Sequence, residues 1–143
     1  MMLFSLFALL DPDDAYQQRC RGILRERLAA LSTGLGLDVP ADPLRTAYYV
    51  DIDLAIWGRQ AFGDEFGRYV AAHHAPLDVV IALAKRHGSV LLNGSGFDGP
   101  PWSVRVSLAN LDTAAYEAIG RDLKAMMQRA VDEWRSGQTP SAS

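Results

Sequence analysis

Cysteine is almost missing from this chain. Cys20 stands alone among 143 residues, which excludes an intrachain disulfide and suits a reducing compartment such as the cytoplasm. An excess of one charge is missing as well. Fourteen Lys and Arg are scattered among seventeen Asp and Glu, for a net charge of -3, so no nucleic-acid footprint is expected. The apolar stretch at residues 1–10, Met1 to Leu10 (MMLFSLFALL), falls short of the ~20 residues that span a bilayer. It also lacks the basic n-region and the small-residue cleavage site of a secretory signal. No membrane contact is expected, and the stretch reads as a helical segment whose apolar surface needs a partner. Self-contained catalytic motifs are absent too: no Walker loop, G-x-S-x-G, zinc signature or dinucleotide fingerprint occurs. Gly94-x-Gly96 is a partial glycine pattern, but it precedes a strand rather than a helix and makes a poor phosphate cradle.

What is present reads as one globular domain, at 49% hydrophobic and 22% charged residues. Asp11-Pro12-Asp13-Asp14 is a helix start, with Asp as N-cap and Pro at the first position. The helix runs to about Leu35 on an apolar stripe of Tyr16, Cys20, Ile23, Leu24, Leu28, Leu31 and Leu35, with Gly34 and Gly36 as its stop. A linker with Pro40 and Pro43 leads to an alternating strand over residues 46–54. There Tyr48, Val50, Ile52 and Leu54 share one side and Tyr49, Asp51 and Asp53 the other. Residues 55–62 form a connection of undetermined conformation. Two helices, 64–74 and 75–87, break at Pro76; Phe66, Tyr69 and Val70 line the first, and Leu77, Val80, Ile81 and Ala84 the second. Asp112 caps a last helix over 113–135 whose stripe is Tyr116, Ile119, Leu123, Met126, Met127, Ala130 and Trp134, and 136–143 is a frayed tail.

Information is densest at residues 90–111, VLLNGSGFDGPPWSVRVSLANL, which reads strand, glycine-rich loop, strand. The loop is expected to be neither helix nor regular strand. In the second strand Val104, Val106 and Leu108 share one face, and Ser103, Arg105, Ser107 and Ala109 the other. That second face is small and polar around one cation. A planar guanidinium suits bidentate capture of a carboxylate, and short neighbours leave room for a ligand. A half-buried strand whose Arg points at water fits the same pattern. The fold class expected is α/β, an α+β sandwich: a small three-stranded sheet with helices on one face and a long N-terminal helix.

Other chemistry-bearing residues carry less. Asp51 and Asp53 lie two apart on one strand face, but no third ligand stands at a supporting spacing, so a solvent-facing edge fits better than a metal site. His73 and His74 are adjacent, so in a helix they point ~100° apart and suit a solvated helix end. His87, beside Lys85 and Arg86, suits the negative end of a helix. Met126 and Met127 read as core filler.

YYVDIDL, the helical region after it, GSVLLNGSGFDGPPWSVRVSLANL and the closing helix together resemble the C-terminal small domain of fold-type I pyridoxal-phosphate enzymes. Within these the chain is most similar to the aspartate 4-decarboxylases, the bifunctional aspartate aminotransferase/aspartate β-decarboxylases. LFSLFALLDPDDAY resembles the entry to the long connecting helix of those enzymes, and the likeness runs over residues 1–135. The resemblance implies a remnant of a large-domain helix at 1–10, a connecting helix at 11–36 and the small domain at 37–135. It implies that Arg105, in the R-x-S-x-A-N segment, grips the α-carboxylate of L-aspartate or a related amino or 2-oxo acid. It also implies pyridoxal 5'-phosphate as cofactor, carried by a Schiff-base lysine of the large domain. Lys85 and Lys124 are the only lysines here, and neither sits where a desolvated catalytic lysine is expected. The chain is thus expected to be a truncated product, a fragment or one piece of a split enzyme, inactive alone. It would form a homo-oligomer or join a large domain through residues 1–10. Two other readings stay open: a non-catalytic amino-acid-binding module using the Arg105 face, and an interaction domain docking through residues 1–10.

Overall fold

The computed structural model describes residues 6, 10, 14–39, 42 and 45–138. Helix α1, Ala15–Leu35, follows Asp14, whose carbonyl accepts from the Gln18 N–H at 2.8 Å. The expected cap and proline at Asp11 and Pro12 lie outside the described residues. Gly36 closes the helix at φ 71°, a left-handed turn that glycine adopts without a Cβ clash, while the Leu37 N–H reaches back to the Ser32 carbonyl at 3.0 Å. Gly34 is no part of that stop. It is buried within the helix and faces Gly120, where two helix backbones meet. Only the C-terminal half of the expected stripe is covered: Leu31 and Leu35 are buried, whereas Tyr16 and Ile23 are exposed.

Strand β1, Tyr49–Asp53, is shorter than its alternating pattern: Ala47, at φ 52°, breaks the extended backbone before it, and helix begins at Leu54 after it. Residues 55–62 belong to that helix, α2, Leu54–Phe62. Asp53 caps it by accepting the Ile56 N–H at 2.9 Å, and Gly63 ends it. Helices α3, Asp64–His73, and α4, Pro76–His87, follow, with Pro76 in the first turn of α4 and Gly88 after its last. The face that α4 buries differs from the expected one. Leu83 is fully covered and Val79 and Val80 pack on the core, whereas Leu77 and Ile81 are exposed.

Strand β2 is only Leu92–Asn93, and the glycine-rich segment after it does form helix, one 3-10 turn over Gly94–Phe97. Strand β3, Ser103–Ser107, leads to helix α5, Thr113–Gln138, which runs past the expected end at Arg135. Asp112 caps α5 as expected, accepting the Ala115 N–H at 2.8 Å. The strands form an antiparallel sheet in the order β1-β3-β2. Ile52, Val104, Val106 and Leu108 point from it into one core shared with Leu31 and Leu35 of α1 and Tyr116, Ile119 and Leu123 of α5. The domain is thus α+β, with the core on one side of a three-stranded sheet and Arg105 on the other.

Among the described residues no helix is long and apolar enough to cross a membrane. Within the 1–10 segment Leu6 and Leu10 are helical and exposed.

Candidate functional site

The period-two alternation of β3 buries Val104 and Val106 and turns Arg105 outward. Because β3 is the central strand, Arg105 has a neighbour on each side: Asp51 of β1 and Leu92 of β2 are its partners in register. Asp51 therefore stands on the same outer face, one strand away. Its carboxylate accepts two parallel hydrogen bonds, from Arg105 Nε at 2.8 Å and from Nη2 at 2.9 Å. This is the bidentate geometry that a guanidinium fork favours.

A loop holds an aromatic lid over the same cation. Asn93 Oδ1 accepts the Ser95 N–H at 3.3 Å and starts the 3-10 turn; Asp98, at φ 58°, reverses the chain, and the Gly99 N–H returns to the Gly94 carbonyl at 3.0 Å. Ser103, expected on the open polar face, is instead buried beneath this turn. Its hydroxyl donates to the Pro100 carbonyl at 2.7 Å. A Cβ at Gly94 would overlap that hydroxyl, so the close approach of turn to strand requires glycine there. The turn sets the Phe97 ring 4.7 Å from the Arg105 guanidinium carbon, and the Tyr49 ring lies 5.8 Å from it. With these neighbours the Arg105 side chain is only 21% exposed, against 40% for Asp51.

The electrostatics follow from the pairing. Hydrogen bonding to Arg105 lowers the Asp51 carboxyl below its ordinary value, against a smaller opposing desolvation, and the same contact raises the guanidinium. A cleft of about 470 Å³ opens beside β1, bordered by Tyr49, Asp51 and Asp53, by Leu28 of α1 and by Trp57 of α2; Arg105 stands outside its lining.

The remaining candidates have structural partners. Asp51 and Asp53 have separate partners, since one pairs with Arg105 and the other caps α2. Among the described residues no cluster of three or more metal-ligating side chains occurs. His73 is exposed, as a helix-end residue should be, and stacks on Tyr69. His74 departs from that expectation: it turns into a cleft of about 180 Å³ between α4 and α5, where its Nε2 is buried without a hydrogen-bond partner among the described residues. His87 Nδ1 lies 3.0 Å from Asp122 and ties the end of α4 to α5. Met126 and Met127 pack against the core. Cys20 is half-buried and free.

Lys85 and Lys124 are both exposed on helix surfaces, so neither amine has the desolvated setting that a Schiff-base lysine needs. The sequence singles out Arg105 as a cation on this face but not the residues around it. Phe97 carries no signal in the sequence, and Asp51 reads there as part of a solvent-facing edge rather than as the partner of Arg105.

No protein-family model matches the sequence. The chain is similar to a bifunctional aspartate aminotransferase and L-aspartate beta-decarboxylase of a Pseudomonas species, with 36% identity over 136 residues, 95% of this chain and 26% of that protein. The chain thus spans about a quarter of the length of this relative.

Proposed function

We propose that this chain is the carboxylate-gripping part of an enzyme that acts on aspartate, and that Arg105 holds the substrate's α-carboxylate. The observation that carries the reading is the bidentate Asp51 contact. The guanidinium is flanked by two rings and engaged with a carboxylate in the bidentate geometry that suits a carboxylate ligand. The likeness to a protein named for aspartate transamination and β-decarboxylation supplies the substrate class.

In the whole enzyme aspartate would lose its β-carboxylate to give alanine, or pass its amino group to a 2-oxo acid. Pyridoxal phosphate would supply the electron sink for either outcome. Arg105 orients the substrate in the same way for both. In this reading the chain contributes the substrate grip, and neither Lys85 nor Lys124 is set to form a Schiff base.

Titration calorimetry with L-aspartate tests this. The wild-type chain should give a binding isotherm that Arg105→Ala abolishes, because a carboxylate left without its guanidinium loses a charge-assisted pair of hydrogen bonds. Equal isotherms in the two proteins would remove the assignment.

Association is a second proposal, favoured by the exposed Leu6, Leu10, Tyr16 and Ile23. Such apolar surface suits a partner, either the rest of an enzyme of this kind or a second copy. Sedimentation of the pure chain as a monomer at all concentrations would speak against the second copy.

A further inference from the structure

We infer that Asp51 is a positioning residue for Arg105, holding the Nε/Nη2 side edge of the guanidinium so that the Nη1/Nη2 end edge meets an incoming carboxylate. The inference rests on the gripping role proposed above and specifies how the ligand would be held. A guanidinium offers a carboxylate two bidentate edges, one made of Nε with a terminal nitrogen and one made of both terminal nitrogens. Asp51 occupies the first, at 2.8 and 2.9 Å. On the second, Nη1 has no hydrogen-bond partner among the described residues, and Nη2 keeps a second N–H beyond the one it donates to Asp51.

Backbone register fixes this division of edges. Asp51 and Arg105 are direct partners on adjacent antiparallel strands, both turned to the outer face. The short Asp side chain has only two torsions, so the ladder itself sets where its carboxylate lies. Arg105 is long and would otherwise sample many rotamers. Asp51 at one edge and the Phe97 ring at 4.7 Å restrict it together.

The arrangement carries an electrostatic cost. Asp51 offsets the charge that would attract an anionic ligand, so its contribution is geometry at the expense of Coulomb attraction. That opposition makes the sign of its removal decisive. If Asp51 orients the guanidinium, deleting it weakens carboxylate binding. If Asp51 merely competes for the same site, deleting it tightens binding.

The experiment is titration of L-aspartate into the wild-type chain and its Asp51→Ala, Asp51→Glu and Arg105→Ala variants, followed by the guanidinium ¹⁵N–¹H signals of Arg105. In the free wild type the Nε–H signal should be displaced by its bond to Asp51, and Asp51→Ala should return it to the position of a solvated arginine. L-aspartate should then move the Nη signals while leaving Nε–H in place. Affinity should fall about tenfold or more in Asp51→Ala, the scale of one lost charge-assisted hydrogen bond, and recover in part in Asp51→Glu. Unchanged or tighter binding in Asp51→Ala, with binding still lost in Arg105→Ala, overturns the positioning role alone. No response in the wild type, or an undiminished response in Arg105→Ala, overturns the gripping role beneath it.

Discussion

Gly34 of α1 and Gly120 of α5 meet backbone to backbone. A Cβ added to Gly34 would stand 3.0 Å from the Gly120 Cα, and one added to Gly120 would stand 2.9 Å from the Gly34 Cα. The long helix is held to the domain at this crossing, and the neighbours there are backbone atoms that cannot swing aside.

Alanine at either position should therefore destabilise the fold. Overpacking costs about 1–3 kcal/mol, which outweighs the ~1 kcal/mol that alanine ordinarily gains over glycine within a helix. Gly22, in the same helix, has open space around its Cβ position, so Gly22→Ala should stabilise by roughly 0.5–1 kcal/mol. Urea unfolding of the three variants checks both signs. Stabilisation by Gly34→Ala would mean that the helices do not approach so closely.

The Asp51–Arg105 pair makes a pH-dependent contribution. The Asp51 carboxyl is lowered by hydrogen bonding to Arg105, so its share of stability is full above the unfolded carboxylate value and is lost as pH falls through the lower folded value. The Asp51 side chain is 40% exposed, which limits that share to about 0–1 kcal/mol after solvent screening. Asp51→Asn should give a flatter urea-midpoint profile below about pH 4, and added salt should narrow its difference from wild type. Identical profiles would show that the pair is absent in solution.

Tyr116 ties the chain after β3 to α5. Its fully buried ring carries a hydroxyl that donates to the Ser107 carbonyl at 2.9 Å and accepts the N–H groups of Asn110 and Leu111 at 3.1 Å each. Arg27, from α1, reaches the same segment and donates to the Leu108 carbonyl at 2.8 Å. Tyr116→Phe keeps the packing and strands these groups, at about 1–3 kcal/mol. Amide exchange should rise first at residues 107–111. Uniform protection there would contradict the assignment.

Asp53 acts as a helix cap. Asp53→Ala should cost about 0.5–2 kcal/mol, Asp53→Asn should recover much of it, and divalent cations should leave thermal unfolding of wild type unchanged. A cation-dependent rise in Tm, lost in Asp53→Ala, would restore the metal reading.

Much of the fold was legible because local chemistry decides it. Pro76 and Gly88 bound α4, Asp112 caps α5, and the alternation through Val104, Val106 and Leu108 marks the core face of β3. Misreadings fell where tertiary partners decide. Gly34 near a helix end looks like a stop, and only the opposing Gly120 shows its use. Leu77 and Ile81 are as apolar as Val79 and Leu83, so the sequence of α4 does not choose which pair faces α5 and the sheet. Helix α2 was hidden by its shortness and by Gly58 at its middle, which sits against the Phe66 ring. At the site, Arg105 stood out as a lone cation on a small polar strand. Asp51 lies 54 residues earlier, and cross-strand register over that distance cannot be read from one sequence.

The most direct test is whether L-aspartate perturbs the Arg105 guanidinium. In ¹⁵N–¹H spectra of the wild-type chain, added L-aspartate should shift the Arg105 Nη signals in a saturable way, and L-aspartate should give no such isotherm with Arg105→Ala. Arg105 signals that stay still at saturating L-aspartate would contradict the carboxylate grip.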